Sequence, residues 1–182
     1  IWLDHGKGSV AHIRFQIWMA KLMLQVAPTK KSCTFASLTK DIQQVFSSLS
    51  PADSIVITMH QKPDPDAMGS SLGLYHFFKN AGLNPTVISP TNWADFLSWM
   101  PGMENVVDFE NTKQHANEII QHANWIFCLD FNHLSRTRFM EESLFSSAAK
   151  KVLIDHHREP QLEVFEYGIS DISKSSTAEM VY

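Results

Sequence analysis

Three short groups of residues carry most of the chemistry in this chain. They are His60, Asp64 and Asp66, then Asp130, then the triplet Asp155-His156-His157. Each follows an apolar, strand-like run: Ser54-Ile-Val-Ile-Thr58, Trp125 to Leu129, and Lys151 to Ile154. Each group is therefore expected at the carboxyl end of a strand, and in open α/β sheets those ends face one crevice where ligands bind. Four carboxylates gathered there would repel one another and drive their own pKa values up unless cations neutralised them. With three imidazoles added, a cluster of divalent cations is the economical explanation. Oxygen-rich ligands with a few imidazoles and no thiolate suit manganese or magnesium, or iron or cobalt, better than a zinc–cysteine site. Two such cations about 3.5–4 Å apart stabilise the attacking and leaving oxygens of phosphoryl hydrolysis.

Taken singly, most of these residues have blander readings. Pro63 and Pro65 flank Asp64, and a residue before proline is pushed towards extended conformations. In an extended stretch Asp64 and Asp66 would point to the same side. Asp66 also precedes a helix whose exposed N–H groups it could cap. A lone aspartate after a strand, such as Asp130, is usually a turn residue or a cap, and His60 alone reads as a structural histidine. The adjacent imidazoles after a buried strand, His156 and His157, have no packing purpose. His5, His12, His76, His115, His122 and His133 lack such company and read as surface or helix-face residues.

The elements that must position these groups follow from hydrophobic period. Ile42, Val45, Phe46 and Leu49 mark a helix over Leu38 to Leu49, ended by Ser50-Pro51. Strand one is Ser54 to Met59, and a second helix runs from Ala67 to Asn80, closed by Ala81-Gly82. Gly69 and Gly73 are expected to let that helix approach the sheet closely. Thr86 to Ser89 reads as strand two, Trp93 to Met100 as an aromatic helix, Val106 to Phe109 as a short strand, and Thr112 to His122 as a helix. Ser176-Thr-Ala-Glu179 is a capping box that opens a last helix. Apolar runs alternating with helices predict a doubly wound α/β fold, with about five strands in a mainly parallel sheet and helices on both faces.

Composition narrows the class. A chain of 182 residues, 44% hydrophobic and 19% charged, is ordinary for a globular domain. A formal net charge of −4, with no block of lysine or arginine, argues against a long nucleic-acid track. Cys33 and Cys128 form no metal or redox spacing, so a reducing cytoplasm is the expected compartment. The chain opens on Ile1, and Ile13 to Ala27 is apolar but interrupted by Arg14 and Lys21. That stretch is too short and too charged to span a membrane. Residues 1–34 are expected to form an atypical, poorly ordered extension, the alternative being a short helix from Ile13 to Gln25.

The combination of motifs resembles the DHH phosphoesterase superfamily. His60-Gln-Lys-Pro-Asp-Pro-Asp-Ala-Met-Gly-Ser70, Leu129-Asp-Phe-Asn132 and Asp155-His-His157 look like its first three motifs, in order. Ser71-Leu-Gly-Leu-Tyr75 and Ser175-Ser-Thr-Ala-Glu179 look most like the branch of bacterial bifunctional oligoribonuclease and phosphoadenosine-phosphate phosphatases. The resemblance implies that His60 and Asp64 ligate one manganese, that Asp66 and His156 ligate a second, and that Asp130 bridges them. It places His157 opposite the scissile phosphate. Asp155 then orients an imidazole from the outer shell, and Asn132, Arg136 and Arg158 are candidate substrate contacts. Magnesium or cobalt are alternatives to manganese.

The implied substrates are short oligoribonucleotides and 3'-phosphoadenosine 5'-phosphate, with no membrane partner and with homodimerisation of the full-length protein allowed. Members of the superfamily also carry a fourth motif, an aspartate on a later strand, and a C-terminal substrate-gripping domain. Neither precedes Tyr182, so residues 35–182 are expected to be the metal-binding catalytic domain of a longer enzyme. Within the superfamily the alternatives are a single-strand DNA exonuclease and an inorganic pyrophosphatase. Outside it, the alternative is a non-catalytic nucleotide-binding module, which loss of a metal ligand would have favoured.

Overall fold

The buried strands are apolar on both sides, so the sheet they form has to be covered twice. The computed structural model describes residues 42–182. It contains a six-stranded sheet made of β1 (Ser54–Thr58), β2 (Asn84–Ser89), β3 (Val107–Asp108), β4 (Trp125–Leu129), β5 (Lys150–Asp155) and β6 (Tyr167–Ser170). The strand order is β3-β2-β1-β4-β5-β6, and every pairing is parallel. Parallel neighbours need crossovers, and these are supplied largely by α2 (Pro65–Asn80), α3 (Lys113–Gln121) and α4 (Glu141–Ser146). A short α1 (Ile42–Ser48) precedes the sheet, and α5 (Thr177–Val181) follows it.

Strand alternation divides the core into two layers. Ile55 and Ile57 of β1 join Phe127 and Leu129 of β4 beneath Val45, Phe46, Met68 and Phe78 of α1 and α2. Val56, Ile126 and Cys128 point the other way, into a layer with Ala116, Ile120 and Leu144 from α3 and α4. This is the doubly wound α/β arrangement that the alternating apolar runs predict. The Cys128 thiol is fully buried there, which pushes its pKa up to about 12. Among the described residues no helix is long and apolar enough to cross a membrane.

Several expectations need correction. The sheet has six strands rather than five, because Tyr167–Ser170 pairs with β5. Trp93 to Met100 is not a helix: one 3-10 turn, Asp95–Leu97, buries Leu97 and leaves Phe96 and Trp99 exposed. Its aromatic residues are dense but lack a helical stripe, so a single turn suffices. A 3-10 stretch, Leu134–Met140, and α4 were not anticipated. Gly73 faces Val181 of α5, not the sheet, and nothing lies within 4 Å of where a Gly69 side chain would begin. The end of α2 is as read: Gly82 takes φ +79°, and the Gly82 and Leu83 N–H groups donate to Lys79 and Phe78. The start of the first helix at Leu38, the extension 1–34, the helix Ile13 to Gln25 and Cys33 lie outside the described residues.

Candidate metal centre

The strand order runs outward from β1 on one side and from β4 on the other, so the winding reverses between them. In open α/β sheets the crevice above such a reversal is the ligand site. His60 lies two residues beyond β1, Asp130 follows β4 directly, and Asp155 is the last residue of β5. Register pairs Thr58 with Cys128 and Leu129 with Ile154, which brings the three strand ends level. All three groups therefore meet at one rim.

Asp130 is the centre of the arrangement. It is almost fully buried and takes φ +63°, a left-handed conformation rare outside glycine, asparagine and aspartate. Its Oδ2 stands 3.6 Å from His60 Nε2, and its Oδ1 stands 3.5 Å from His156 Nε2 and 3.8 Å from His157 Nδ1. Asp64 Oδ2 is 3.8 Å from His60 Nε2, and Asp66 Oδ2 is 3.7 Å from His156 Nε2. These gaps are too long for hydrogen bonds. Two ligands about 2.1 Å from one ion stand about 3 Å apart at right angles and about 3.4 Å apart at the tetrahedral angle, so these gaps are wide enough to admit a shared cation. Two triads, His60–Asp64–Asp130 and Asp130–His156–His157, each converge within 4.8 Å, and Asp130 belongs to both.

The imidazoles are oriented from behind. His60 Nδ1 lies 2.8 Å from the Gln61 carbonyl, and His156 Nδ1 lies 3.3 Å from the Lys174 carbonyl. Donation of Nδ1–H to these oxygens leaves each Nε2 lone pair facing the carboxylates, the outer-shell pattern of metal-binding histidines. His157 Nδ1 sits 2.6 Å from Asp155 Oδ1, and the Asp155 carboxylate also accepts the His157 main-chain N–H. Asp155 itself is completely buried. Burial works against a charged His60, but the attraction of Asp130 and the Gln61 carbonyl outweigh it, so its pKa rises above 6.5. Burial also pushes the Asp130 pKa up, yet His60, the Thr177 hydroxyl and the nearby imidazole charge hold it below 3.8.

The two aspartates of the first motif divide their work differently from the expectation. Asp64, extended at φ −91° and ψ −178°, is the N-cap of α2, and its Oδ1 accepts from the Asp66 and Ala67 N–H groups. Pro65 opens the helix, where its missing N–H costs nothing. Asp66 is thus already helical, and the strand-like alternation that would aim both carboxylates at one place does not apply. Its oxygens instead accept the Thr177 and Ala178 N–H groups at the start of α5, 2.8 Å each. The Thr177 hydroxyl donates to Asp130 Oδ1 at 2.9 Å. Sequence reasoning took Ser176-Thr-Ala-Glu179 as a capping box and Ser175–Glu179 as part of the family resemblance, but gave Thr177 no role at the site. Ser176 does cap the Glu179 N–H, but the Glu179 carboxylate reaches Ser175 rather than Ser176.

The three candidate substrate contacts also lie on this rim. Arg136 is close enough for its charge to oppose protonation of His60, and its carbonyl accepts the Gln61 N–H. Arg158 is exposed beyond His157. The Asn132 amide donates to the Arg158 carbonyl at 2.7 Å and so holds that loop.

A model of the DHH family, N-terminal domain, matches residues 54–182. The chain belongs to the DHH family. A curated relative, the bifunctional oligoribonuclease and PAP phosphatase NrnA of Bacillus subtilis (strain 168), is 26% identical over 141 residues, 76% of this chain and 40% of that protein. Among solved structures, an exopolyphosphatase-related protein from Bacteroides fragilis superposes with a TM-score of 0.76 at 38% identity, covering 82% of this chain and 44% of that one. The chain thus spans less than half the length of either of these proteins.

Proposed function

We propose that this DHH-family domain is the cation-binding part of a phosphohydrolase that acts on short oligoribonucleotides and 3'-phosphoadenosine 5'-phosphate. The observation that carries the reading is the Asp130 carboxylate, whose two oxygens face imidazoles from two different motifs, 3.6 and 3.5 Å away. His60 and Asp64 would hold one divalent cation, Asp66 and His156 a second, with Asp130 common to both. Mn2+ is the proposed ion, since the donor set is carboxylate and imidazole with no thiolate. Bound there, the cations would supply Lewis acidity to a phosphoryl oxygen and lower the pKa of water.

The chain's own groups do the rest. Asp155 accepts a hydrogen bond from the Nδ1–H of His157 and fixes the ring, leaving Nε2 to exchange a proton beside the scissile phosphate. Arg136 and Arg158 are the proposed phosphate contacts, because a guanidinium pairs with phosphate bidentately. A formal charge of −4 without a basic run supports a short, highly charged substrate over a long strand. The bacterial relative named for oligoribonuclease and PAP phosphatase activities supports this substrate class.

A second reading, hydrolysis of linear polyphosphate, is favoured by the higher identity to the exopolyphosphatase-related protein. One assay separates them. The complete gene product, supplied with Mn2+, is offered phosphoadenosine phosphate, short oligoribonucleotides, inorganic polyphosphate and long single-stranded DNA. Release of phosphate or mononucleotides from the first two alone is expected. Turnover of polyphosphate alone moves the assignment to the second reading, and no turnover of any substrate overturns both.

A further inference from the structure

We propose that Thr177 is a positioning residue that sets the rotation of the Asp130 carboxylate, and through it the ability of one carboxylate to serve two cation positions. The role rests on the two-cation reading above and adds a group from outside the three motifs.

The main chain at Asp130 is already fixed, with φ at +63° and its N–H donated to the Ile154 carbonyl. What remains to be set is the side-chain torsion that decides where each oxygen points. Among the described residues, the Thr177 hydroxyl is the donor within hydrogen-bond distance of that side chain, 2.9 Å from Oδ1. An ionised carboxylate only accepts, so the hydroxyl donates. With Oδ1 held on the side of His156 and His157, Oδ2 is left 3.6 Å from His60. A turn of the carboxylate about its bond would remove one oxygen from each group together.

Thr177 suits the task because it is itself held on several sides. It is completely buried and β-branched, so its side chain has little rotamer freedom. Its N–H and that of Ala178 donate to Asp66. Ser176 caps the Glu179 N–H, and the Glu179 carboxylate in turn accepts from the Ser175 N–H and hydroxyl and from Lys174 Nζ. The Lys174 carbonyl holds His156 Nδ1. The Lys174–Glu179 segment thus touches three of the candidate ligands, Asp66, Asp130 and His156, from an element that carries none of them. A five-residue helix does not hold itself together, so these contacts and its packing on α2 keep it in place.

Val is nearly the shape of Thr but puts a methyl group against a buried carboxylate, whereas Ser keeps the hydroxyl. The test titrates Mn2+ alone into the complete protein by calorimetry for the wild type, T177V and T177S, with thermal melts to show that each is folded. T177V is expected to bind at least one of two ions about tenfold more weakly or worse, and T177S to stay within about threefold of wild type. In turnover assays T177V should lower kcat and leave KM unchanged. Wild-type affinity in a folded T177V, or a loss in T177S equal to that in T177V, overturns the role of Thr177 alone. Should T177V fail to fold, T177A replaces it in the same comparison. A wild-type protein that takes up no Mn2+ sinks the two-cation reading, and this role falls with it.

Discussion

A histidine whose Nδ1 is already engaged offers its surroundings one nitrogen only. His60 and His156 are both in that state, with Nε2 facing carboxylates at separations too long for hydrogen bonds. A cation there competes with protons for the same lone pairs. Asp130, its pKa held below 3.8, keeps its charge near neutrality, so the proton that matters there is on His60, whose pKa lies above 6.5. Mn2+ affinity should therefore be constant at high pH and fall about tenfold per pH unit once the pH drops below the raised His60 value. Stability of the cation-free protein should respond in the opposite sense. A pKa raised on folding stabilises most below the unfolded value, near 6.5, and its contribution is lost as pH rises through the folded value. Calorimetric titrations and melts between about pH 5 and pH 9, with and without Mn2+, check both trends. Parallel trends in the two series would remove His60 from the cation site.

At the scale of elements, β6 shows what a local reading of sequence misses. It is a four-residue edge strand whose second residue, Gly168, has φ +150°. A glycine there ordinarily suggests a loop, yet the strand needs it, because a Cβ at that position would come within 2.3 Å of the Leu153 carbonyl oxygen. Gly168→Ala should cost about 2–4 kcal/mol through strain and a displaced β5–β6 pairing. Gly69→Ala, in a helix interior with open space around it, should be neutral or stabilise by about 0.5–1 kcal/mol. Denaturant unfolding of both variants compares the two, and equal effects would contradict the close approach at Gly168. The contrast also explains which elements were legible. β1, β4 and β5 each contain an uninterrupted apolar run of three to five residues that is buried on both faces, so composition alone reveals them. β6 is short, half polar and glycine-broken, and the 3-10 turn at Asp95–Leu97 sits in an aromatic cluster without periodicity. Neither carries a pattern that a window of sequence can detect.

For the molecule as a whole, the legible part of the site was its location and the illegible part its wiring. Apolar runs that end in His60, Asp130 and Asp155 had to meet, because parallel strands of one sheet present their carboxyl ends to one rim. Nothing local to Asp66 announces that its oxygens hold the start of a helix 111 residues later, and nothing local to Thr177 announces Asp130. Those ties are tertiary. They also mean that the rim joins β1, α2, β4, β5 and α5, elements far apart in the chain, through one set of candidate ligands and the hydrogen bonds to them. A cation bound only when that set is assembled stabilises the whole fold by mass action, by about 2.7 kcal/mol when free cation is a hundredfold above Kd. For a protein of this size that is a rise of about 5–10 °C in Tm. Melts with Mn2+ should show the rise, EDTA should abolish it, and Asp130→Asn, which removes the charge of the carboxylate common to both triads, should lose most of it while staying folded. A Tm that does not depend on Mn2+ in the wild type would show that the rim is held by its hydrogen bonds alone and binds no cation strongly.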